Sequence, residues 1–240
     1  MTSNLAALTV DAQEPQRLGE FWAGVLDRKV IDDQDGVVVL LPTGQPEFRI
    51  EFAPSDEPRR EPNQMHFDLT STSYADQRET VERALELGAR HLDVGQLPEE
   101  EHVVLADPEG NEFCVIPPGN RFLADTGRIG ALAGDGTRAV GHFWSKALAW
   151  PLVWDQDEET AIQSPSGGTK LTWGGPPVRT RLGKNRLHLD IAPPPEVDQE
   201  AEVERLVALG ASRLDIGQGD VSWVVMADPG GNEFCVLTPR

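Results

Sequence analysis

The sequence predicts an α+β fold built by tandem duplication, and three observations lead to this prediction. One ten-residue phrase occurs twice, as ADPEGNEFCV at residues 106–115 and as ADPGGNEFCV at residues 227–236. Other matching residues, such as His66 and His188, recur at a constant spacing along most of the chain. In each half, the residue pattern also predicts one strand, one helix and three strands, and then the same order again. Sustained self-similarity is the mark of repeated structural units, so we predict four βαβββ units.

The repeated phrase is typical of a β-hairpin. Asp-Pro followed by Gly-Asn suits a tight turn, because proline fixes φ while glycine and asparagine tolerate positive φ. The residues on either side are β-formers. We therefore predict turns at residues 107–111 and 228–232. Alternation along the outgoing strand places Glu112 and Cys114 on one face and the phenylalanine between them on the other.

The first quarter of the chain fits one βαβββ unit. Residues 5–10 are predicted to form a short strand, and Pro15 begins a helix. The apolar residues of this helix recur at the spacing of one helical face, at Leu18, Phe21, Trp22, Val25 and Leu26. Three strands are predicted to follow, around residues 29–32, 37–41 and 48–52.

The second quarter has the same order, and the second half of the chain repeats both quarters. A strand at residues 65–69 precedes a helix over roughly residues 75–87, for which Gly88 is the expected C-cap. Residues 170–173 match the last strand of the first unit. The pattern of the first helix recurs at Val140, Phe143, Trp144, Ala147 and Leu148.

The domain boundary is predicted from a break in this pattern. The Pro-Pro-Gly-Asn stretch near residues 117–125 interrupts the run of strands and helices. The length of 240 residues is also suited to two domains of about half that size. We therefore predict one domain at residues 1–119 and a second at residues 120–240.

Composition and charge exclude several classes of function. The formal net charge of −19 would repel nucleic acids and anionic membranes, so we expect neither as a partner. The 2 cysteines occupy equivalent positions and cannot form a disulfide framework. The sequence shows no signal peptide and no apolar run of about 20 residues. We expect a cytoplasmic protein, a monomer or a homodimer, with a small molecule as its partner.

These features together resemble the vicinal oxygen chelate superfamily, in particular its glyoxalase-like and bleomycin-resistance-like branch. The resemblance rests on the tandem βαβββ units, the Phe-Trp pair of the first helix, the H-x-D motif of the fifth strand and the DPxGNEFCV phrase. It implies curved mixed sheets, each made from two units, that half-enclose cavities. The metal enzymes of this superfamily hold a divalent ion with residues from four strands, typically His, Glu, His and Glu.

The first two of these ligand positions are poorly filled here. The first-strand position is expected near Leu5 in the first half and near Gly127 in the second, and neither side chain can bind a metal. The fourth-strand position is expected near Glu51 in the first half and near Thr172 in the second. Only Glu51 among these four residues resembles the ligand of the superfamily.

The other two positions carry residues that can bind a metal. The fifth-strand position falls at His66 and His188, and the last-strand position at Cys114 and Cys235, where a glutamate would be expected. If the two halves pair across their interface, one pocket combines Glu51, His188 and Cys235. This set could hold Zn, Fe, Mn or Ni with one position open. The other pocket, with Thr172, His66 and Cys114, is one ligand short.

Several of these residues also have a purely structural interpretation. His66 and His188 are either ligands or structural histidines hydrogen-bonded to a neighbour such as Asp68. Glu112 and Glu233 either face the cavity as acids or bases or brace the turn, and we favour the brace. The cysteines lack a cationic neighbour in the sequence, so small buried hydrophobic groups are the favoured interpretation.

Tryptophan is distributed unequally between the halves. Trp22 and Trp144 are the repeated helix pair and are expected in the core. Trp173 and Trp223 occur only in the second half, where they either stack on a flat organic ligand or fill an interface. A basic run at Arg179, Arg181, Lys184 and Arg186 either holds an anion or forms a solvated loop.

Two functions from different classes follow from this sequence. The first is a binding protein for a small aromatic or hydrophobic molecule, with a degenerate metal site and no expected cofactor. His66, Glu112, Trp173, His188, Trp223 and Glu233 are its predicted ligand-binding residues. The alternative is a metal-dependent lyase, isomerase or dioxygenase that uses Glu51, His188 and Cys235.

Overall fold

A computed structural model describes most of the chain. The described residues are 2–32, 34–44, 46–57, 59, 62–97, 99–179 and 183–240. Within these ranges the elements follow the predicted βαβββ order four times. The α+β class and the tandem duplication predicted from the sequence are confirmed.

The first half contains the first two units. The first unit comprises β1 (Asn4–Ala12), α1 (Pro15–Leu26), β2 (Val30–Asp32), β3 (Val38–Leu40) and β4 (Arg49–Pro54). The second unit comprises β5 (Met65–Leu69), α2 (Tyr74–Glu86), β6 (Arg90–His91), β7 (Val103–Ala106) and β8 (Glu112–Val115). Pro15 begins α1 as predicted. Gly88 follows α2 at a φ of 108°, a conformation that favours glycine.

The second half repeats this order. The third unit comprises β9 (Ile129–Gly134), α3 (Arg138–Leu148), β10 (Leu152–Gln156), β11 (Glu159–Gln163) and β12 (Lys170–Trp173). The fourth unit comprises β13 (Leu187–Ala192), α4 (Gln199–Ala208), β14 (Ser212–Arg213), β15 (Val224–Ala227) and β16 (Glu233–Val236). No helix in the described part of the chain is long and apolar enough to cross a membrane.

The four units form two mixed sheets, and each sheet takes one unit from each half. Sheet I has the order β14-β15-β16-β13-β1-β4-β3-β2, and sheet II has the order β10-β11-β12-β9-β5-β8-β7-β6. The central pairs, β1 with β13 and β5 with β9, are antiparallel. The halves therefore pair across their interface, as the sequence analysis considered. The domain boundary between residues 119 and 120 stays a prediction, and neither sheet coincides with one of those domains.

Repeated residues join the two sheets within each half. Trp22 of α1 belongs to the first unit, yet its ring lies 5.0 Å from that of Phe113 in sheet II. Its indole nitrogen also donates to the Asp107 carboxylate at 3.1 Å. The equivalent Trp144 donates to Asp228 at the same distance. Both tryptophans are fully buried, which confirms their predicted place in the core.

The repeated aspartate organises the predicted turn. The Asp107 carboxylate accepts the backbone N–H groups of Glu109 and Asn111, each at 2.9 Å, in addition to the indole of Trp22. Gly110 lies at a φ of 89°, where a side chain would be strained. The Asp228 turn repeats this arrangement. The phrase DPxGN is thus a buried hydrogen-bonded turn that fixes the first helix of each half.

The one residue that differs between the two phrases is explained by its surroundings. The Glu109 carboxylate accepts the backbone N–H groups of Gln13 and Glu14, at 3.0 and 2.8 Å, and pairs with Arg186 at 2.6 Å. At the equivalent Gly230, an added Cβ would lie 2.9 Å from the Val140 side chain. The first turn therefore has a bridging acid where the second has no room for one.

Candidate functional site

A row of polar side chains crosses sheet I on the face turned away from the core. Alternate residues of β1 and β13 pack into the core, and the intervening ones face the other way. Thr9 is the Cα partner of both Glu51 and His188, so these three residues from three strands lie side by side. Leu5, the residue expected near the first-strand position, does not lie beside Glu51 and His188. Leu5 pairs with Ile191, beyond a register shift in β1.

In sheet II, too, the residue expected near the first-strand position does not lie beside the histidine. Ala133 of β9 is the Cα partner of both His66 and Thr172. Gly127, expected at the first-strand position, precedes β9 and is not part of the sheet. The row that corresponds to Thr9, Glu51 and His188 is therefore Ala133, Thr172 and His66.

Three potential metal ligands meet on sheet I. We call His188, Asp190 and Cys235 the His188 group. One ligand atom from each lies within 4.8 Å of those of the other two, and His188 Nε2 is 3.5 Å from Asp190 Oδ1. Their residues are 9%, 5% and 7% exposed. The Thr9 hydroxyl donates to Asp190 Oδ2 at 2.6 Å and thereby orients this carboxylate.

Two atoms of the His188 group have no hydrogen-bond partner among the described residues. They are His188 Nδ1 and Asp190 Oδ1, and both are buried. Leaving a buried polar atom unpartnered costs about 1–3 kcal/mol. Because His188 and Asp190 lie on the same face of β13, a ligand that supplied partners for their unpartnered atoms would recover this free energy.

Burial also sets the protonation state of the His188 group. Burial lowers the pKa of His188 to about 3, and the positive charge of Lys184 acts in the same direction. Burial raises the pKa of Asp190 to about 7, against the hydrogen bond from Thr9 and with support from the nearby charge of Glu51. Burial and the neighbouring Asp190 raise the pKa of the Cys235 thiol. At neutral pH the imidazole and the thiol are therefore uncharged.

Glu51 is adjacent to the His188 group but is paired elsewhere. Its carboxylate lies 3.1 Å from the Arg49 guanidinium, on the same strand. The predicted metal set was Glu51, His188 and Cys235, whereas the residues whose ligand atoms converge are His188, Asp190 and Cys235. Asp190 could have been found from the H-x-D motif, because two residues that are two positions apart on a strand have their side chains on the same face.

Sheet II carries an equivalent trio with different exposure. We call His66, Asp68 and Cys114 the His66 group, and its ligand atoms also lie within 4.8 Å of one another. His66 Nε2 is 3.5 Å from Asp68 Oδ1, and the His66 side chain is 35% exposed. Burial acts to lower the pKa of His66, but interactions with Asp68 and Cys114 outweigh it and raise the pKa to about 10. His66 is an imidazolium at neutral pH.

The face of sheet II beside this group is lined by small side chains. Ala131 is the Cα partner of Asp68, and Ala133 is that of His66. Farther across the sheet, the Lys170 ammonium lies 4.5 Å from the centre of the Phe122 ring and donates to the Phe122 carbonyl. Ala131 is 1% exposed and separates Asp68 from Lys170 in this row of the sheet.

The two predicted acids have bracing roles. Glu112 pairs with Arg59 and accepts the backbone N–H of Asn63 at 3.2 Å. The equivalent Glu233 accepts the backbone N–H of Asn185 at 3.2 Å. Each carboxylate thus holds the segment that enters β5 or β13. This geometry supports the bracing role favoured by the sequence.

The predicted tryptophans lie in different environments. Trp173 is 2% exposed and belongs to the core, on the opposite face of β12 from Thr172. A ligand on the polar face cannot stack on it. Trp223 is 40% exposed and lines a depression of about 280 Å³ at the edge of sheet I. It lies two positions before Val225, the Cα partner of Cys235.

The basic run anchors loops through ion pairs. Arg179 pairs with Asp135 and Lys184 pairs with Asp11, both at 2.6 Å. Arg186 bonds to Glu109, as described above. Arg181 lies outside the described residues. Arg179 and Lys184 lie in an exposed loop, as the favoured interpretation expected, and their ion pairs attach this loop to the sheets.

Comparisons with known proteins agree with this fold. A family model described as a glyoxalase-like domain matches residues 7–116 and 131–237. Glyoxalase I from Zea mays is similar with a TM-score of 0.67 and 13% identity, over 99% of this chain and 92% of that one. A Bacillus subtilis protein provisionally described as a dioxygenase is similar with a TM-score of 0.64 and 14% identity, over 100% of this chain and 86% of that one. At these identities the likeness shows the fold alone.

A shorter protein matches half of the chain. The fosfomycin resistance protein FosX from Mesorhizobium loti is 16% identical with a TM-score of 0.40, and the match covers 50% of this chain and 95% of that one. A comparison with curated proteins found no match. The family match therefore rests on the glyoxalase-like model, which spans most of the sequence in two copies.

Proposed function

The chain belongs to the glyoxalase-like domain family, and from this premise we propose that it binds a small molecule at the His188 group, through a divalent metal ion. The observation that carries the proposal is the convergence of one ligand atom each from His188, Asp190 and Cys235 within 4.8 Å of one another. Asp190 Oδ1, one of the atoms without a hydrogen bond, is buried in this group and has a lone pair for a metal ion.

The donor set fits such an ion. A neutral imidazole, a carboxylate and a thiolate are all ligands of Zn²⁺, and thiolate favours zinc over harder ions such as Mg²⁺. His188 offers its lone pair because burial keeps it unprotonated. The Cys235 thiol must lose a proton on binding, and its raised pKa makes that loss harder. Metal affinity should therefore rise with pH.

Other residues of sheet I would support the centre. The Thr9 hydroxyl holds Asp190 in orientation, and Glu51 adds negative charge beside it. When bound, the ion would supply Lewis acidity toward oxygen atoms of the ligand. Trp223, exposed near the Cys235 row, is suited to contact an aromatic or apolar part of the ligand. Catalysis of the lyase, isomerase or dioxygenase type would be an extension of this binding.

A second candidate is binding without a metal. It is favoured by the low charge of the His188 group: burial raises the pKa of Asp190 to about 7, so that its protonated form is well populated at neutral pH, and burial also raises the pKa of Cys235. Protonated Asp190 and Cys235 can donate hydrogen bonds, and the imidazole can accept one. Such a group would bind a neutral polar molecule.

Elemental analysis of protein purified without chelator or affinity-tag metal tests the first candidate. We expect close to one equivalent of metal, with Zn²⁺ affinity by calorimetry reduced by about 100-fold or more in His188→Ala. His91→Ala, at an exposed position on β6, is the matched control. Unchanged metal content in His188→Ala would overturn the metal proposal. Metal-free protein whose tryptophan fluorescence responds to small polar molecules would support the second candidate.

A further inference from the structure

We propose that Glu109, in the buried turn of the first half, is a positioning residue for the His188 group in the second half. It acts through Arg186, with which it forms an ion pair and which precedes His188 by two positions. The expected effect on zinc affinity rests on the proposed function. The effect on the strand that carries His188 can be measured without a metal.

The ion pair between Glu109 and Arg186 is short and buried. The two side chains are 10% and 9% exposed, and the guanidinium lies 2.6 Å from the carboxylate. A charge that loses its partner at such a buried position is strongly destabilising, so the pair holds one geometry. The carboxylate is also fixed on its other side, where it accepts the backbone N–H groups of Gln13 and Glu14 between β1 and α1.

Arg186 in turn joins the start of β13 to the end of β1. Its guanidinium donates to the Asp11 carbonyl at 2.8 Å, and its own carbonyl accepts the Asp11 N–H at 2.7 Å. Asp11 lies two positions after Thr9, which is the Cα partner of His188. These bonds hold the register that places the Thr9 hydroxyl within reach of Asp190.

The equivalent residues of sheet II, Gly230 and Gln64, are uncharged. Gln64 is the equivalent of Arg186, because its carbonyl accepts the backbone N–H of Asp135 in the way described for Asp11. A glycine and a glutamine cannot form an ion pair. This difference between the sheets parallels the deeper burial of the metal-ligand group on sheet I.

The ion pair matters for metal binding because His188 and Asp190 both lie on β13. A set of ligands binds a metal tightly when its atoms are held in place before the ion arrives. A shift of β13 along β1 would separate Asp190 from the Thr9 hydroxyl that orients it. Loss of such a supporting contact typically lowers metal affinity by about 10- to 100-fold. We expect the lower end of this range, because Glu109 acts through a second residue.

Two variants remove the ion pair in different ways. Glu109→Gln keeps the shape of the side chain and removes its charge. The double variant Glu109→Gly with Arg186→Gln gives sheet I the residues of sheet II and leaves neither charge of the pair behind. Glu47→Gln is the matched control, because Glu47 pairs with the buried Arg28 at 3.1 Å, in the segment before β4 of the same sheet.

Zinc affinity by calorimetry and backbone hydrogen exchange of the metal-free protein give two independent readouts. We expect both variants to bind zinc about tenfold more weakly than the wild type. The amides of β13 should exchange about tenfold faster, while those of β5 keep their rates. Glu47→Gln should change neither the zinc affinity nor the exchange of β13.

Three outcomes separate this proposal from its alternatives. Folded variants that bind zinc as tightly as the wild type would overturn it. Faster exchange of equal size in β13 and β5 would also overturn it, because this result shows only a loss of global stability. Wild-type protein that binds no zinc would overturn the proposed function, whereas faster exchange confined to β13 would still support Glu109 as a positioning residue.

Discussion

The His188 group and the His66 group contain the same three residue types on equivalent strands, yet their chemistry is opposite. Both place His Nε2 at 3.5 Å from Asp Oδ1. Burial drives the pKa of His188 down to about 3, while the pKa of His66 rises to about 10. Residue identity and spacing therefore do not determine the protonation state of these histidines. Their solvent exposure and the charged and polar groups around them determine it.

The neighbours that separate the two groups can be named. Thr9 donates a hydrogen bond to Asp190, whereas the equivalent residue beside the His66 group is Ala133. Lys184 places a positive charge near His188 and disfavours a second cation there. The His188 group is buried and contains an uncharged imidazole and thiol, so it is suited to hold a metal or a neutral molecule. The partly exposed His66 group instead holds a charged imidazolium beside a carboxylate.

The largest expected effect concerns the two buried aspartate turns, and it tests whether the halves are alike outside the His188 and His66 groups. Asp107→Ala and Asp228→Ala each remove a buried acceptor of the turn amides and of a tryptophan indole. We expect each to lower the free energy of unfolding by about 3 kcal/mol, measured by chemical denaturation. Clearly unequal losses would show that the halves differ in their frame as well as in their sites.

Much of the fold could be predicted from the sequence. The spacing of the apolar residues predicted α1, and the constant spacing of the repeated residues aligned the strands of the two halves. Thr9 was missed because the pairing register of β1 with β13 and β4 decides which residue lies beside His188. The residue pattern of a single strand does not specify its register with partners that are distant in sequence.

Other features of the site differ in how far the sequence could reveal them. The core position of Trp173 was predictable, because placing Thr172 on the polar face requires its neighbour to face the other way. The contrast between His188 and His66 was not predictable. Both stand in an H-x-D motif, and the tertiary packing that buries one of them and not the other is not encoded locally.

The second prediction concerns the pH dependence of stability at the two histidines. The pKa of folded His188 is below its unfolded value near 6.5, so the wild type should lose stability relative to His188→Gln as pH falls below 6.5. We expect a loss of about 2 kcal/mol by about pH 5. The pKa of folded His66 is raised, so its contribution is present below 6.5 and disappears as pH rises toward 10.

For the partly exposed His66, solvent screening reduces this contribution to about 1 kcal/mol. Denaturant titrations of the wild type and of each Gln variant, at a series of pH values, would measure both curves. The two differences from wild type should change in opposite pH ranges. Parallel curves would mean that the two groups are electrostatically alike, which would remove the basis of the comparison.

The smallest effect comes from exchanging the residue that distinguishes the two rows. Thr9→Ala removes the hydroxyl that Asp190 accepts and should cost about 1 kcal/mol of stability. Ala133→Thr introduces a hydroxyl opposite His66, at a half-buried position where it can donate to Asp68. A hydrogen-bonded carboxylate attracts the imidazolium less, so the pKa of His66 should fall by less than about one unit. NMR titration of the imidazole proton resonances would measure this shift, and an unchanged or higher value would show that Thr9 does not account for the difference between the groups.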